Sequence, residues 1–280
     1  MSGVPTNIPK NVGGLQAADR RRDLVIKLAM TAVVIAIAVA LVAYIVLNGK
    51  SKPKSGEVRA IHVAAPNVLL KPGTKDPKAQ LTIYEDFLCP ICGEFEKTYG
   101  PTIGKLVDAG VIAVDYHLVS IVGRGRPDSY STRAGAAGYC VADASIEAFQ
   151  RFHNMLYANQ PSELASSFPS NEDLISKARV AGVVGSVPGC VQSGRYVDMV
   201  DAMAQNAGIS GTPTITLNGA DVSPSDLLPA KDAHGLVDKI RAVTGNVPGL
   251  VAAPPVASDA KAPGVPVPAE PGPAAPAHTP

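Results

Sequence analysis

Cys89 and Cys92, in the run Cys89-Pro90-Ile91-Cys92, are the residues whose types and spacing could do chemistry. The residues that follow carry good helix formers and recurring apolar positions at Phe95, Tyr99, Ile103 and Leu106, so both thiols fall at a helix N-terminus. The first turn of a helix leaves backbone N–H groups unpaired and carries partial positive charge, which favours an anion. A thiolate at Cys89 is therefore expected to ionise below the free-cysteine range, with Cys92, one turn further on, more buried. A lowered pKa makes Cys89 a good leaving group, so a Cys89–Cys92 disulfide would be open to attack by a substrate thiol. Pro90 suits a first helical turn, where its missing N–H costs nothing. The competing readings are half of a zinc site and a purely structural disulfide. Zinc normally takes four Cys or His ligands, often as two close pairs, and this sequence has one such pair.

The elements that must hold this pair are legible around it. Leu81 onward reads LTIYEDF, apolar and β-branched at first, then acidic at Glu85 and Asp86, as a buried strand running into a turn. VIAVDYHLVS (111–120) reads as a second strand, parallel to the first, so strand, helix and strand make a βαβ unit with a right-handed crossover. NVLL (67–70) reads as a short edge strand. GRGRPDS (123–129) reads as a turn, its glycines lacking the rest of a phosphate-loop fingerprint. From 129 to 207 the apolar spacing is helical, with Ser170 or Asn171 as an N-cap, and the segment is expected to be a helical insertion of about 126–207. Strand signal returns at TPTITL before the hairpin turn Asn218-Gly219, then a short strand near Asp221–Val222 and a final helix near Lys231–Val243.

Composition and the ends of the chain bound the setting. The 280 residues carry a formal net charge of +1, which gives no reason to expect a nucleic-acid surface. Residues 1–23 are polar and end in Arg20, Arg21 and Arg22, and Leu28 to Leu47 then runs uncharged. At 1.5 Å per residue that run is about 30 Å of helix, the thickness of a bilayer core. The expected organisation is a cytoplasmic segment 1–23, a transmembrane anchor 24–47, a stalk 48–66, an α/β domain 67–247 and a tail 248–280. The denser basic flank before the span favours N-terminus in, with the domain outside the cytoplasm. A cleaved signal peptide is the competing reading, with a longer apolar run than such peptides carry. The chain has 25 prolines and 26 glycines, and the prolines crowd the last 33 residues, which cannot form a core.

Strand–CPIC–helix–strand, a helical insertion, and Gly211-Thr212-Pro213-Thr214 opening a hairpin together resemble the DsbA-like branch of the thioredoxin superfamily. More narrowly, the chain resembles the membrane-anchored DsbA-like proteins of mycobacteria and related actinobacteria, over roughly residues 60–245. The resemblance implies a thioredoxin fold and an extracytoplasmic thiol–disulfide oxidoreductase with Cys89 and Cys92 catalytic. Reduced secreted or envelope proteins would be the substrates, and a membrane enzyme of the vitamin K epoxide reductase type the reoxidant. It also implies that Pro213 is cis and lies against the active-site pair, the Thr212 backbone pairing with an extended substrate, and that Pro90 and Ile91 flank the substrate. Many members carry a buried acid six positions before the first motif cysteine; here that position is Ile83, and the direction of Glu85 and Asp86 stays open. Rival readings are a disulfide reductase or isomerase, and a non-catalytic binding protein that kept the fold.

Cys140 and Cys190, both in the helical insertion, are the other two thiols. In an oxidising compartment they are expected to pair, closing a loop of about 50 residues, and similar mycobacterial proteins carry such a bridge. Two buried free thiols remain the alternative. His62, His117, His153, His234 and His278 are scattered without ligand spacing, so neither a metal nor an organic cofactor is expected.

Overall fold

The computed structural model describes residues 27–40, 57–124, 126, 128–222 and 233–250. They belong to two units, Met1–Lys52 and Pro53–Pro280. In the first, residues 27–40 are helical and exposed; the rest of the expected anchor 24–47 and the segment 1–23 lie outside the described residues, as does the tail beyond 250. Among the described residues no helix is long and apolar enough to cross a membrane.

The second unit is built on a five-stranded sheet. Its strands are β1 (Ile61–Val63), β2 (Gln80–Glu85), β3 (Ala113–Leu118), β4 (Thr214–Leu217) and β5 (Ala220–Asp221), in the order β1-β3-β2-β4-β5. Its helices are α1 (Pro90–Asp108), α2 (Tyr130–Ala142), α3 (Ile146–Ala158), α4 (Asn171–Val180), α5 (Val187–Gln192), α6 (Val197–Asn206) and α7 (His234–Thr244). β2 and β3 are parallel with Leu81 beside Val114 and Glu85 beside Leu118, as the βαβ reading expects. β4 runs antiparallel to β2 and sets Thr214 beside Tyr84. That register carries the residues just before β4 to the turn just after β2. The hairpin after β4 uses Asn218 and Gly219 at φ 53° and 81°, the pair of positive values that a two-residue turn of this hand demands.

The edge strand differs from expectation. β1 lies within the segment read as a stalk (48–66), pairing Ile61 with Tyr116, while NVLL contributes only an isolated bridge from Leu70 to Pro77. Three residues with Ile61 and Val63 buried and His62 exposed are too short to show a period in sequence. Asn67 to Leu70 are held instead by turn bonds, including Leu69 N–H to the Gly110 carbonyl at 2.7 Å. The final helix starts at His234, and Lys231 lies outside the described residues.

Helices α2 to α6 form the insertion. Ser170 caps α4 with a reciprocal Ser170–Asp173 capping box. Small residues in α2 let it approach closely: a Cβ on Gly138 would stand 2.4 Å from Leu118 Cδ1 in β3. Cys140 of α2 and Cys190 of α5 are joined by a disulfide, with Cα atoms 5.8 Å apart. The bridge closes a loop of 50 residues, and restriction of the unfolded chain by such a loop stabilises by about 4 kcal/mol. Replacing both cysteines by alanine should therefore lower the unfolding free energy by about that amount in denaturant titrations, while Cys89 keeps its reactivity toward alkylating agents.

Candidate functional site

The turn from β2 into α1 is set by one buried carboxylate. Asp86 accepts backbone N–H bonds from Leu88 (2.8 Å), Ile121 (2.8 Å) and Val122 (2.9 Å), and the Ser131 hydroxyl donates to it. Its own carbonyl accepts from Cys89 N–H at 2.9 Å. One side chain thus ties the end of β2 to the segment after β3 and to α2. Burial pushes the Asp86 carboxyl pKa up, and these donors hold it back.

Cys89 is the N-cap of α1 and Pro90 its first residue. Both motif cysteines are reduced and buried, Cys89 at 7% exposure and Cys92 at 0%. Pro90 and Ile91 face outward, Ile91 at 53%. The Thr212–Pro213 peptide is cis, and Pro213 is buried. As a thiol, Cys89 donates to the Thr212 carbonyl at 3.3 Å, so the sequence-expected pair and loop are brought together.

The two sulfurs ionise very differently. The Cys89 pKa is lowered to about 6, first by the hydrogen bond from the Cys92 thiol, then against burial by Thr212 and by the backbone N–H groups of Cys92 and Ile91. The Thr212 hydroxyl has no partner beside the thiol form and is buried, leaving it free to donate to a thiolate. Cys92 is pushed well above the ordinary range, chiefly by burial and then by its bond to and charge repulsion with Cys89.

Beneath the pair lies a cluster that sequence reasoning missed. Alternation along β2 puts Leu81, Ile83 and Glu85 on its buried face. Glu85 Oε1 lies 2.5 Å from His153 Nε2 of α3, and Glu96, one helical turn past Cys92, completes a buried trio whose ligand-type atoms all lie within 4.8 Å of one another. Phe87, Tyr116, Phe149 and Tyr157 surround His153. Burial alone would lower the His153 pKa, but Glu85 and Glu96 raise it to about 9. Glu96 is raised to about 8, mainly by burial and, against the pull of His153, by Glu85. Ile83, at the position where the resembling family carries its acid, is buried and apolar. A spacing signal existed for Glu96 (i+4 from Cys92), but none for His153, 68 residues from Glu85.

The donor types of this trio suit a divalent ion. The 2.5 Å contact between Glu85 and His153 does not, because two ligands on one tetrahedral zinc stand about 3.3 Å apart. At 2.5 Å the two atoms share a proton. Glu85 Oε2 and Glu96 Oε1 have no hydrogen-bond partner, and burial of these acceptors favours keeping protons on the cluster.

A strand–turn–helix with a paired thiol at the helix N-terminus and a cis-proline loop against it defines a redox-active thioredoxin fold. A family model described as thioredoxin matches residues 70–238. The reduced disulfide bond oxidoreductase DsbG of Mycobacterium tuberculosis is 47% identical, with a TM-score of 0.63 over 68% of this chain and 90% of that one. DsbA of the same organism is 46% identical, with a TM-score of 0.63 over 68% of this chain and 95% of that one. MdbA of Corynebacterium diphtheriae, a thiol-disulfide oxidoreductase, shares the fold at 20% identity and a TM-score of 0.52, covering 70% of this chain and 98% of that one. The serine/threonine-protein kinase PknE of M. tuberculosis is 30% identical over 154 residues, 51% of this chain; the chain spans 27% of that longer relative. The chain belongs to the thioredoxin family, among its thiol–disulfide oxidoreductases.

The trio also fixes a pH dependence. Glu96 and His153 both titrate higher folded than unfolded, so the native state binds more protons between about pH 4.5 and pH 9. Their stabilisation is complete at the acid end of that window and lost as pH rises through about 8 and then about 9. In the oxidised protein, where Cys89 and Cys92 do not titrate, thermal midpoints should fall from pH 7 to pH 9. The Glu96→Gln variant should show a shallower fall over the same range.

Proposed function

We propose that this protein is a membrane-anchored, extracytoplasmic oxidoreductase that introduces disulfides into reduced secreted or envelope proteins by exchange at Cys89 and Cys92. The observation that carries the reading is the lowering of Cys89 to about 6 at the N-cap of α1, facing Thr212 and cis-Pro213. A disulfide whose leaving sulfur is stable as a thiolate is an oxidant, because its reduced form is stabilised. That favours oxidation of substrates over the reductase and isomerase readings.

In this mechanism a substrate thiolate attacks Cys89 Sγ of the Cys89–Cys92 disulfide. A new sulfur–sulfur bond forms, the old one breaks, and its electron pair goes to Cys92. Cys92 cannot stay ionised where it is buried, so it takes a proton from the trio beneath, Glu96 being one turn away and largely protonated at neutral pH. A second substrate thiolate attacks the substrate sulfur of the mixed disulfide, and Cys89 leaves as the thiolate the helix terminus favours. The extended substrate pairs with the Thr212 backbone, which Pro213 keeps clear of a competing N–H, while exposed Pro90 and Ile91 flank it. A membrane enzyme of the vitamin K epoxide reductase type would return the pair to the disulfide; no metal or organic cofactor enters these steps.

Placement outside the cytoplasm, with the bilayer met through 24–47, draws on the uncharged run Leu28–Leu47 behind its arginine flank. The Cys140–Cys190 disulfide is consistent with an oxidising compartment. The full chain in detergent should oxidise and refold a reduced, disulfide-dependent test protein, and Cys89→Ser should abolish that activity. Cys92→Ser, given the oxidised test protein instead, should accumulate it joined to Cys89 on non-reducing gels: the Cys89 thiolate attacks a test-protein disulfide, one of its sulfurs leaves as the thiolate, and no Cys92 thiol remains to release the mixed disulfide. Oxidation by the unaltered chain no faster than with Cys89→Ser would leave the binding-protein reading in its place.

A further inference from the structure

Gln160 follows the last turn of α3, in the middle of the helical insertion, yet its side chain reaches the redox turn. Its amide nitrogen donates to the Phe87 carbonyl at 3.1 Å and to the Cys89 carbonyl at 2.9 Å. Both partners are carbonyl oxygens, so only the NH2 group can face them and the amide orientation is fixed by chemistry. The Cys89 carbonyl also accepts the first helical bond of α1, from Gly93 N–H at 3.2 Å. Gln160 thus spans the backbone from the end of the β2 turn to the first turn of the helix that carries both thiols.

Its oxygen is turned toward Gly93. A Cβ on that residue would stand 2.2 Å from Gln160 Oε1 and 3.0 Å from Cδ. Gly93 has no positive φ to account for it, and glycine inside a helix is less stable than alanine by about 1 kcal/mol. The glycine directly after the Cys-Pro-Ile-Cys motif is there because the amide of Gln160 occupies the space its side chain would fill.

We propose that Gln160 is a positioning residue for Cys89, with Gly93 as the gap through which it acts. It touches no sulfur. It fixes the Phe87–Gly93 backbone so that the N–H groups of Ile91 and Cys92 point at Cys89 and the sulfur stays beside Thr212. The helical insertion is by this account part of the redox site. The proposal rests on the exchange chemistry assigned above to Cys89, and the ionisation of Cys89 can be read without any protein substrate.

The test is thiolate absorbance of the reduced full-length protein in detergent, followed from pH 4 to pH 10, together with thermal midpoints. The variants are Gln160→Ala, Gln160→Leu (which keeps the shape and loses the donor), Gly93→Ala, and the double variant Gly93→Ala with Gln160→Ala. Each single variant should raise the Cys89 midpoint by about one unit, cutting the thiolate fraction at pH 6 about fivefold. Because Gly93→Ala acts by evicting Gln160, the double variant should match Gln160→Ala in its midpoint rather than add to it. Alanine should also raise the thermal midpoint in the Gln160→Ala background, where the clash is gone and helix propensity alone remains. A Cys89 midpoint unchanged in folded Gln160→Ala and Gln160→Leu proteins, with only thermal stability lowered, would reduce Gln160 to a loop tether and overturn the proposal. Additive shifts from the two positions would overturn it as well. Loss of oxidase activity in the unaltered protein would count against the proposed function and leave this result standing.

Discussion

An anion held at the start of α1 is the constraint on which the rest of this structure depends. Sulfur is ionised there because several weak donors converge: the neighbouring Cys92 thiol, the Thr212 hydroxyl and the free N–H groups of the first helical turn. The Cys92 thiol contributes most and outweighs the burial of Cys89, and Thr212 and the backbone N–H groups lower the sulfur further. Each is delivered by a different part of the chain. β2 ends at the turn, Asp86 locks that turn to the segment after β3 and to α2, and the antiparallel register of β4 on β2 brings Thr212 across.

The second sulfur is held in the opposite state by the same geometry. One turn deeper, Cys92 has the Asp86 backbone N–H as a donor, but burial and Cys89 outweigh it and keep the thiol neutral. Three ionisable side chains packed below it would be costly as isolated charges, since burial without compensation exceeds what a single hydrogen bond returns. Sharing protons among Glu85, His153 and Glu96 lowers that cost and leaves a store of protons under the sulfur that must gain and lose one in each exchange. The pair is thus asymmetric by construction: one sulfur suited to leave and be attacked, the other to stay protonated when the bond is open.

Much of this was legible in the sequence, and the omissions have physical reasons. The Cys-Pro-Ile-Cys turn, its flanking strand and helix, the Thr212–Pro213 loop and the Asn218-Gly219 hairpin are local patterns, and each formed as read. Cys140 and Cys190 pair, which settles the alternative of free thiols. β1 escaped notice because three residues carry no period, and its place in the sheet comes from pairing with β3, 53 residues away at His62 and Asp115. Glu85 shares a face with Leu81 and Ile83, so parity along β2 pointed inward, but apolar Tyr84 on the other face blurred it. His153 and Gln160 left no trace at all. Their partners lie far off in sequence, and only the packing of the insertion against the turn brings them there.

The most direct measurement is the ionisation of Cys89 in the reduced, otherwise unaltered protein, followed by the rate of alkylation at that residue from pH 4 to pH 10. The account gives a midpoint near 6, with Cys92 silent across the range. A single midpoint at the ordinary thiol value of about 8.5 would contradict it.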